Sequence, residues 1–176
     1  METKLNSDIL QWISQCPFQT INTPKLRPNW NEYFLLLAFL ASRRSSCFRS
    51  QCGAVIVKDN NVISTGYNGS PTYQKNCQEI GFCYRNDHHI KSGTQLELCR
   101  ACGSHSETNA IALASKNGHS TNNTTIYIYG NSAICTQCKA MIANAGIKYV
   151  IYCTNQGKIY EINVEKDWTV HPIDTD

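Results

Sequence analysis

Over residues 29–44 the apolar side chains Trp30, Tyr33, Phe34, Leu37, Ala38 and Ala41 recur three and four positions apart, the spacing of one buried helix face. Asn29, with Glu32 three positions on, has the form of a capping box and predicts where that helix starts. Two β-prone runs follow, 54–57 and 62–65, joined by Asp59-Asn60-Asn61, which reads as a hairpin. Helical spacing returns over 106–117, closed by Gly118 at C′. A strand of alternating Thr, Ile and Tyr spans 125–129. A second helix over 135–145 ends at Gly146, and 148–153 (KYVIYC) reads as another strand. Helix, two strands, then strand-helix alternation predict an α/β fold, a mixed sheet covered by helices. The chain has no internal repeat.

The remaining stretches divide the chain. Residues 1–27 read as an N-terminal extension, in which Ser7-Asp8 would cap a short helix to Gln15 before Pro17, Pro24 and Pro28 interrupt. The domain proper is expected over 28–165, with 166–176 as a C-terminal tail. Residues 67–104 carry no periodicity. A loop longer than ~15 residues is uncommon in a compact domain unless it is functional or tied down. This one holds Cys77, Cys83, Cys99 and Cys102.

Composition narrows the class. With 41% apolar and 16% charged residues in 176, the chain can bury a real core. The formal charge of +3 is too mild for a duplex-binding stripe and suits a small anion better. No apolar run approaches the ~18 residues of a membrane span, and the N-terminus does not read as a signal peptide. Ten cysteines stand out. In the reducing cytoplasm expected for this chain they read as metal ligands or core residues rather than disulfides.

Two short motifs carry chemistry. His105-Ser106-Glu107 opens one predicted helix and Cys135-Thr136-Gln137-Cys138 opens another. Two thiolates at a helix start and one imidazole make a three-ligand zinc site with an open fourth position, the arrangement of catalytic zinc. Glu107, two residues from the histidine, can face a water there without being a ligand and serve as proton shuttle. H-x-E with C-x-x-C is the signature of zinc-dependent deamination at C4 of cytosine or C6 of adenine. A C-x-x-C alone would equally suit a redox pair, and an H-x-E alone arises by chance. Their joint placement at two helix starts favours the catalytic zinc.

The residues also resemble a family, the dCMP deaminases of the cytidine deaminase-like zinc hydrolases, in their bacterial and phage forms. The similarity runs through RPNWNEYF (27–34), SRRSSCFRSQCGAVIVKD (42–59), ISTGYNGSP (63–71), ELCRA (97–101), HSETNAI (105–111) and CTQCKAMIANAGIKYVIY (135–152). The resemblance implies a three-layer α/β/α sandwich with a five-stranded mixed sheet. It implies hydrolysis of dCMP to dUMP and ammonia, feeding dTMP synthesis. It also implies a homo-oligomer, commonly a hexamer, with dCTP and dTTP as effectors. Carried over residue by residue, His105, Cys135 and Cys138 are the zinc ligands and Glu107 the proton shuttle. Asn68 is the sugar contact, with a left-handed turn residue as the alternative, and the Ser106 backbone N–H meets the base carbonyl. Arg49, with Arg43 and Arg44 nearby, is a candidate for the 5′-phosphate, and Tyr127 and Tyr129 for the base. Cys47, Cys77, Cys83 and Cys99 match cysteines that hold a second, structural zinc in some members, with Cys102 or the pair His88-His89 as alternative ligands.

The sequence departs from the family pattern in three places. Ile134 stands where a proline usually precedes the first cysteine. Cys102-Gly103-Ser104 puts three residues before His105 where one is usual, and the segment between Tyr129 and Cys135 is about two residues longer. These changes bear on which nucleotide is accepted. The competing readings are a deaminase of cytidine, dCTP or a tRNA or single-stranded DNA base, and a non-catalytic zinc-stabilised regulatory module. Asn68 and His105 stand 37 positions apart, a wide separation for the tRNA type. Glu107 would have no use in a purely structural site.

Overall fold

The computed structural model describes residues 27–130 and 133–169. The predicted helix at 7–15 lies outside them. Helix α1 (Trp30–Ser42) begins where expected: Asn29 Oδ1 accepts the Glu32 N–H at 2.9 Å and a Glu32 carboxylate oxygen accepts the Asn29 N–H at 2.8 Å. It leads into the hairpin of β1 (Gly53–Lys58) and β2 (Asn61–Tyr67). Asp59 and Asn60 both take positive φ, 49° and 60°, as a tight turn between right-twisted strands requires.

Residues 68–105 carry only short pieces: single-turn helices α2 (Cys77–Ile80) and α3 (Tyr84–Asp87), and a 3₁₀ turn at Leu96–Leu98. Then come α4 (Ser106–Lys116), β3 (Thr125–Gly130), α5 (Thr136–Asn144) and β4 (Tyr149–Thr154). A last strand, β5 (Ile159–Asn163), runs into the short α6 (Val164–Asp167). Neither was foreseen from periodicity.

The sheet order is β2-β1-β3-β4-β5. Only the β3/β4 pair is parallel, with Thr125 opposite Tyr149; the other three pairs are antiparallel. The parallel pair needs a crossover, and α5 supplies it. Strand alternation sorts the core onto two faces. Val55, Val57, Tyr127, Tyr129, Ile151 and Cys153 pack with Phe34, Leu35 and Ala38 of α1. Ala54, Ile56, Ile126, Ile128, Val150 and Tyr152 pack with Ala110 and Ile111 of α4 and Cys138 and Ile142 of α5, and Trp168 rests on this second group. The three-layer sandwich with a five-stranded mixed sheet is therefore present. Because both faces are covered, the inner strands are buried on both sides.

Gly66 sets how closely α4 approaches the sheet. A Cβ there would lie 2.2 Å from the Ser106 carbonyl oxygen and 2.4 Å from the Ala110 nitrogen, so the first turn of α4 lies directly on the β2 backbone.

Candidate metal centre and active site

The starts of α4 and α5 meet over the end of the sheet. His105 is the N-cap residue of α4 and Cys135 that of α5. His105 Nδ1 lies 3.4 Å from Cys135 Sγ and 3.3 Å from Cys138 Sγ, and the three ligand atoms all fall within 4.8 Å of one another. Zn–N and Zn–S bonds of ~2.0 and ~2.3 Å at a tetrahedral angle would separate N and S by ~3.5 Å, so the donor set fits the ion. Among the described residues no other group of three His, Cys, Asp or Glu side chains gathers this tightly.

The electrostatics also suit a divalent cation. Burial first, and then the Glu107 charge and the neighbouring Cys135, push the Cys138 thiol far above its usual range. Cys138 is fully buried and Glu107 is 7% exposed, so a cation bound here would offset the cost of a thiolate at Cys138.

Local hydrogen bonds fix the frame. The His105 N–H donates to Thr108 Oγ1 at 3.0 Å, and the Cys138 N–H reaches Cys135 Sγ at 3.5 Å. Asn109 ties the approach to His105: its Nδ2 donates to the Tyr67 carbonyl at 2.8 Å and its Oδ1 accepts from Ser104 Oγ at 3.2 Å. The Gly69 N–H reaches the Ser104 carbonyl at 3.2 Å. The Ser106 hydroxyl, fully buried, donates to Glu107 Oε2 at 2.8 Å. That bond orients the carboxylate.

A cavity of about 250 Å³ opens beside the cluster, near the lower end of the ~300 Å³ typical for small-molecule sites. His105, Cys135, Glu107, Ser106, Asn68 and Arg49 all line it. The Asn68 side chain is held in the cavity wall by two bonds: its Oδ1 accepts the Cys52 N–H and its Nδ2 donates to the Ser50 carbonyl, both at 2.8 Å. Its backbone is not left-handed, so the turn-residue alternative fails. Arg49 Nη1 donates to the Ile90 carbonyl at 3.1 Å.

Other expected positions fall elsewhere. Tyr127 and Tyr129 face α1, on the opposite side of the sheet from α4 and α5, and the Tyr127 hydroxyl donates to Asn31 Oδ1 at 3.0 Å. They do not approach the base. Ile134 precedes the N-cap rather than occupying the first helical position, and it is buried with the core. Gly103 takes φ 72°, which lets the Cys102–Ser104 segment turn sharply just before the histidine.

Cys47, Cys77, Cys83 and Cys99 line one small cavity between the α1–β1 connection and the long insertion. Burial, then the charges of Cys83, Cys47 and Cys99, raise the Cys77 thiol, while Arg100 opposes them. No three of these thiols come within 4.8 Å of one another, nor does Cys102 or the His88-His89 pair join a tighter group. Sequence reasoning missed Arg85 and Gln137, which also line the larger cavity. Gln137 was visible inside the C-T-Q-C motif. Arg85 sits where no periodicity marked it.

Two helix starts presenting His, Cys and Cys, with a buried glutamate beside them, define a three-donor zinc-binding site on a three-layer α/β/α scaffold. The family profile described as "Cytidine and deoxycytidylate deaminase zinc-binding region" matches residues 28–154, and the chain belongs to that family. It is 36% identical over 135 residues to a deoxycytidylate deaminase of Schizosaccharomyces pombe, covering 77% of this chain and 40% of that one. It is 36% identical over 129 residues to that of Mycobacterium phage D29, covering 72% and 95%. A dCMP deaminase structure from cyanophage S-TIM5, in complex with dCMP and dUMP, aligns at 26% identity and a TM-score of 0.56, covering 73% of this chain and 84% of that one. The chain spans about two fifths of the length of the two yeast relatives it matches.

Proposed function

We propose that this protein is a zinc-dependent deaminase of a pyrimidine nucleotide, with dCMP as substrate and dUMP and ammonia as products. One observation carries the reading: His105, Cys135 and Cys138 converge within 4.8 Å while the buried Glu107 lines the adjoining cavity. His105, Cys135 and Cys138 would hold the zinc and Glu107 would stay free of it. When bound, the ion supplies Lewis acidity that makes water nucleophilic near neutral pH.

The chain's own groups do the rest. Glu107, oriented by the Ser106 hydroxyl, takes a proton as water adds to C4 of the cytosine. It delivers protons to ring N3 and then to the departing amino nitrogen, so that C4–NH₂ and water become C4=O and ammonia. The Ser106 backbone N–H, in the first turn of α4, suits the base carbonyl. Asn68 retains one amide proton beyond its bond to Ser50 and suits the sugar. Arg49 suits the 5′-phosphate.

The same reading takes 28–165 as the deaminase domain, with Trp168 of the tail resting on it. It includes a second, structural zinc on Cys47, Cys77, Cys83 and Cys99, supported by the cavity those thiols share. No helix among the described residues is long and apolar enough to cross a membrane. A cytoplasmic location goes with the reading of the cysteines as metal ligands and core residues rather than disulfides. Homo-oligomer assembly and control by dCTP and dTTP follow from the family resemblance.

A deamination panel tests the proposal. Ammonia release is measured with dCMP, CMP, deoxycytidine, dCTP and a cytosine-containing single strand, each with and without dCTP or dTTP. Preference for dCMP is expected. Preference for the free nucleoside or the strand would replace the substrate while keeping the chemistry.

A further inference from the structure

Asn68 follows the end of β2 and His105 precedes α4, so the candidate sugar contact and a candidate zinc ligand stand on different elements, joined in sequence only by the non-periodic insertion. One side-chain amide bridges them in space. Asn109, one turn into α4, donates from Nδ2 to the Tyr67 carbonyl at 2.8 Å. The same nitrogen lies 3.1 Å from Ser104 Oγ and 3.4 Å from the Ser104 carbonyl, and Asn109 Oδ1 accepts the Ser104 hydroxyl at 3.2 Å. The Ser104 carbonyl in turn accepts the Gly69 N–H at 3.2 Å. The residues on either side of Asn68 are thereby fastened to the residue just before His105.

Asparagine is a poor choice for a helix interior, because its amide competes for backbone partners. Here that amide is used across elements instead. It can donate to a carbonyl and accept from a hydroxyl at once, which neither a carboxylate nor an apolar side chain can do. Ser104 is 8% exposed and belongs to the three-residue stretch that precedes His105 in this chain. Asn109 and Ser104 line a separate groove with Tyr67 and Gly69, whereas Asn68, Ser106 and Glu107 line the cavity itself. The clamp therefore acts on a substrate through Asn68. A shift of ~1 Å in such a contact can cost ~10²-fold in rate.

We propose that Asn109, together with Ser104, is a positioning residue that holds Asn68 in register with the metal centre and so aligns the sugar of the nucleotide with the reacting base. This role rests on the deaminase reading of the cavity. The deoxyribose of a 5′-nucleotide offers one hydroxyl, at C3′, and that group is the natural acceptor for the remaining Asn68 amide proton.

The test uses the zinc-loaded full chain. It compares kcat/KM for dCMP and for its 2′,3′-dideoxy analogue, which lacks that hydroxyl, in wild type and Asn109→Ala, with zinc content measured alongside. The variant should lose about tenfold or more on dCMP and stay within about threefold on the analogue, because the two deletions act on one contact. Zinc should remain at the wild-type level. Equal changes for both substrates would overturn the proposal, as would loss of zinc with activity, since either marks Asn109 as general support for the fold or the metal.

Should Asn109→Ala fail to fold, Ser104→Ala decides, because it removes a single hydroxyl from the clamp. The dCMP value should fall about threefold or more relative to the analogue, and an unchanged ratio would refute the role. Wild-type protein that turns over neither substrate would sink the deaminase reading and this role with it. An active wild type without the selective loss would sink the positioning role alone.

Discussion

Ser106 and Glu107 illustrate what one residue step can do at a helix start. The Ser106 backbone begins α4 while its side chain turns inward and donates to the neighbouring carboxylate at 2.8 Å. Such a bond to a charged acceptor contributes roughly 1.5–3 kcal/mol. Ser106→Ala should therefore lower kcat about tenfold or more with KM for dCMP little changed, as steady-state kinetics would show. A fall in kcat/KM carried by KM alone would place the hydroxyl in substrate binding instead. Cys138→Ala should lower the zinc content by one per chain relative to wild type, measured by elemental analysis on the purified protein. The ligand trio and Glu107 were legible in the sequence because each motif opens a periodic helix. Arg85 was not, because its burial depends on how a non-periodic insertion folds back onto the cavity.

At the scale of elements, the contact between α4 and β2 positions the metal centre. Gly66 allows the Ser106 carbonyl to sit where any Cβ would lie 2.2 Å away. Gly66→Ala should push the start of α4 off the sheet, destabilise the fold by about 1–3 kcal/mol and weaken zinc retention. Urea unfolding and metal analysis on the variant would check both, and an unchanged zinc affinity would uncouple the contact from the site.

Strand β4 supplies a second prediction. Burial raises the Cys153 thiol to about 11 from an ordinary 9.0, and burial with the Cys52 and Cys153 charges raises Tyr152 to about 12 from 10.0. Both groups are neutral in the folded state and ionise more readily once unfolded. Their contribution is thus fully present below pH 9 for the thiol and pH 10 for the phenol. It is lost as pH rises through about 11 and about 12. The urea midpoint should fall above pH 9, with a shallower decline in Cys153→Ala. The helices and inner strands were readable because one-sided or complete burial imposes a period or an apolar run. Strand β5 escaped notice because it is a five-residue edge strand, mostly exposed, whose existence depends on pairing with β4.

For the whole molecule, the long insertion joins the cysteine group to the wall of the larger cavity, and Arg49 and Arg85 line both. Chelation should remove the ion from the His105–Cys135–Cys138 centre and lower the melting temperature, with proton uptake as the thiolates are released. Calorimetry with and without chelator would show this. Zinc at two per chain would bear out the four-cysteine site, and one per chain would remove it without touching the catalytic centre. Composition and charge suggest a small anionic ligand, but they do not say which groups would read it.

The most direct measurement pairs zinc content with dUMP formation from dCMP in wild type and Glu107→Ala. Zinc is expected at the His105–Cys135–Cys138 centre in both proteins, with turnover in the wild type and a loss of about 10²-fold or more in the variant. Undiminished deamination by Glu107→Ala, or wild-type turnover with no zinc bound, would contradict it.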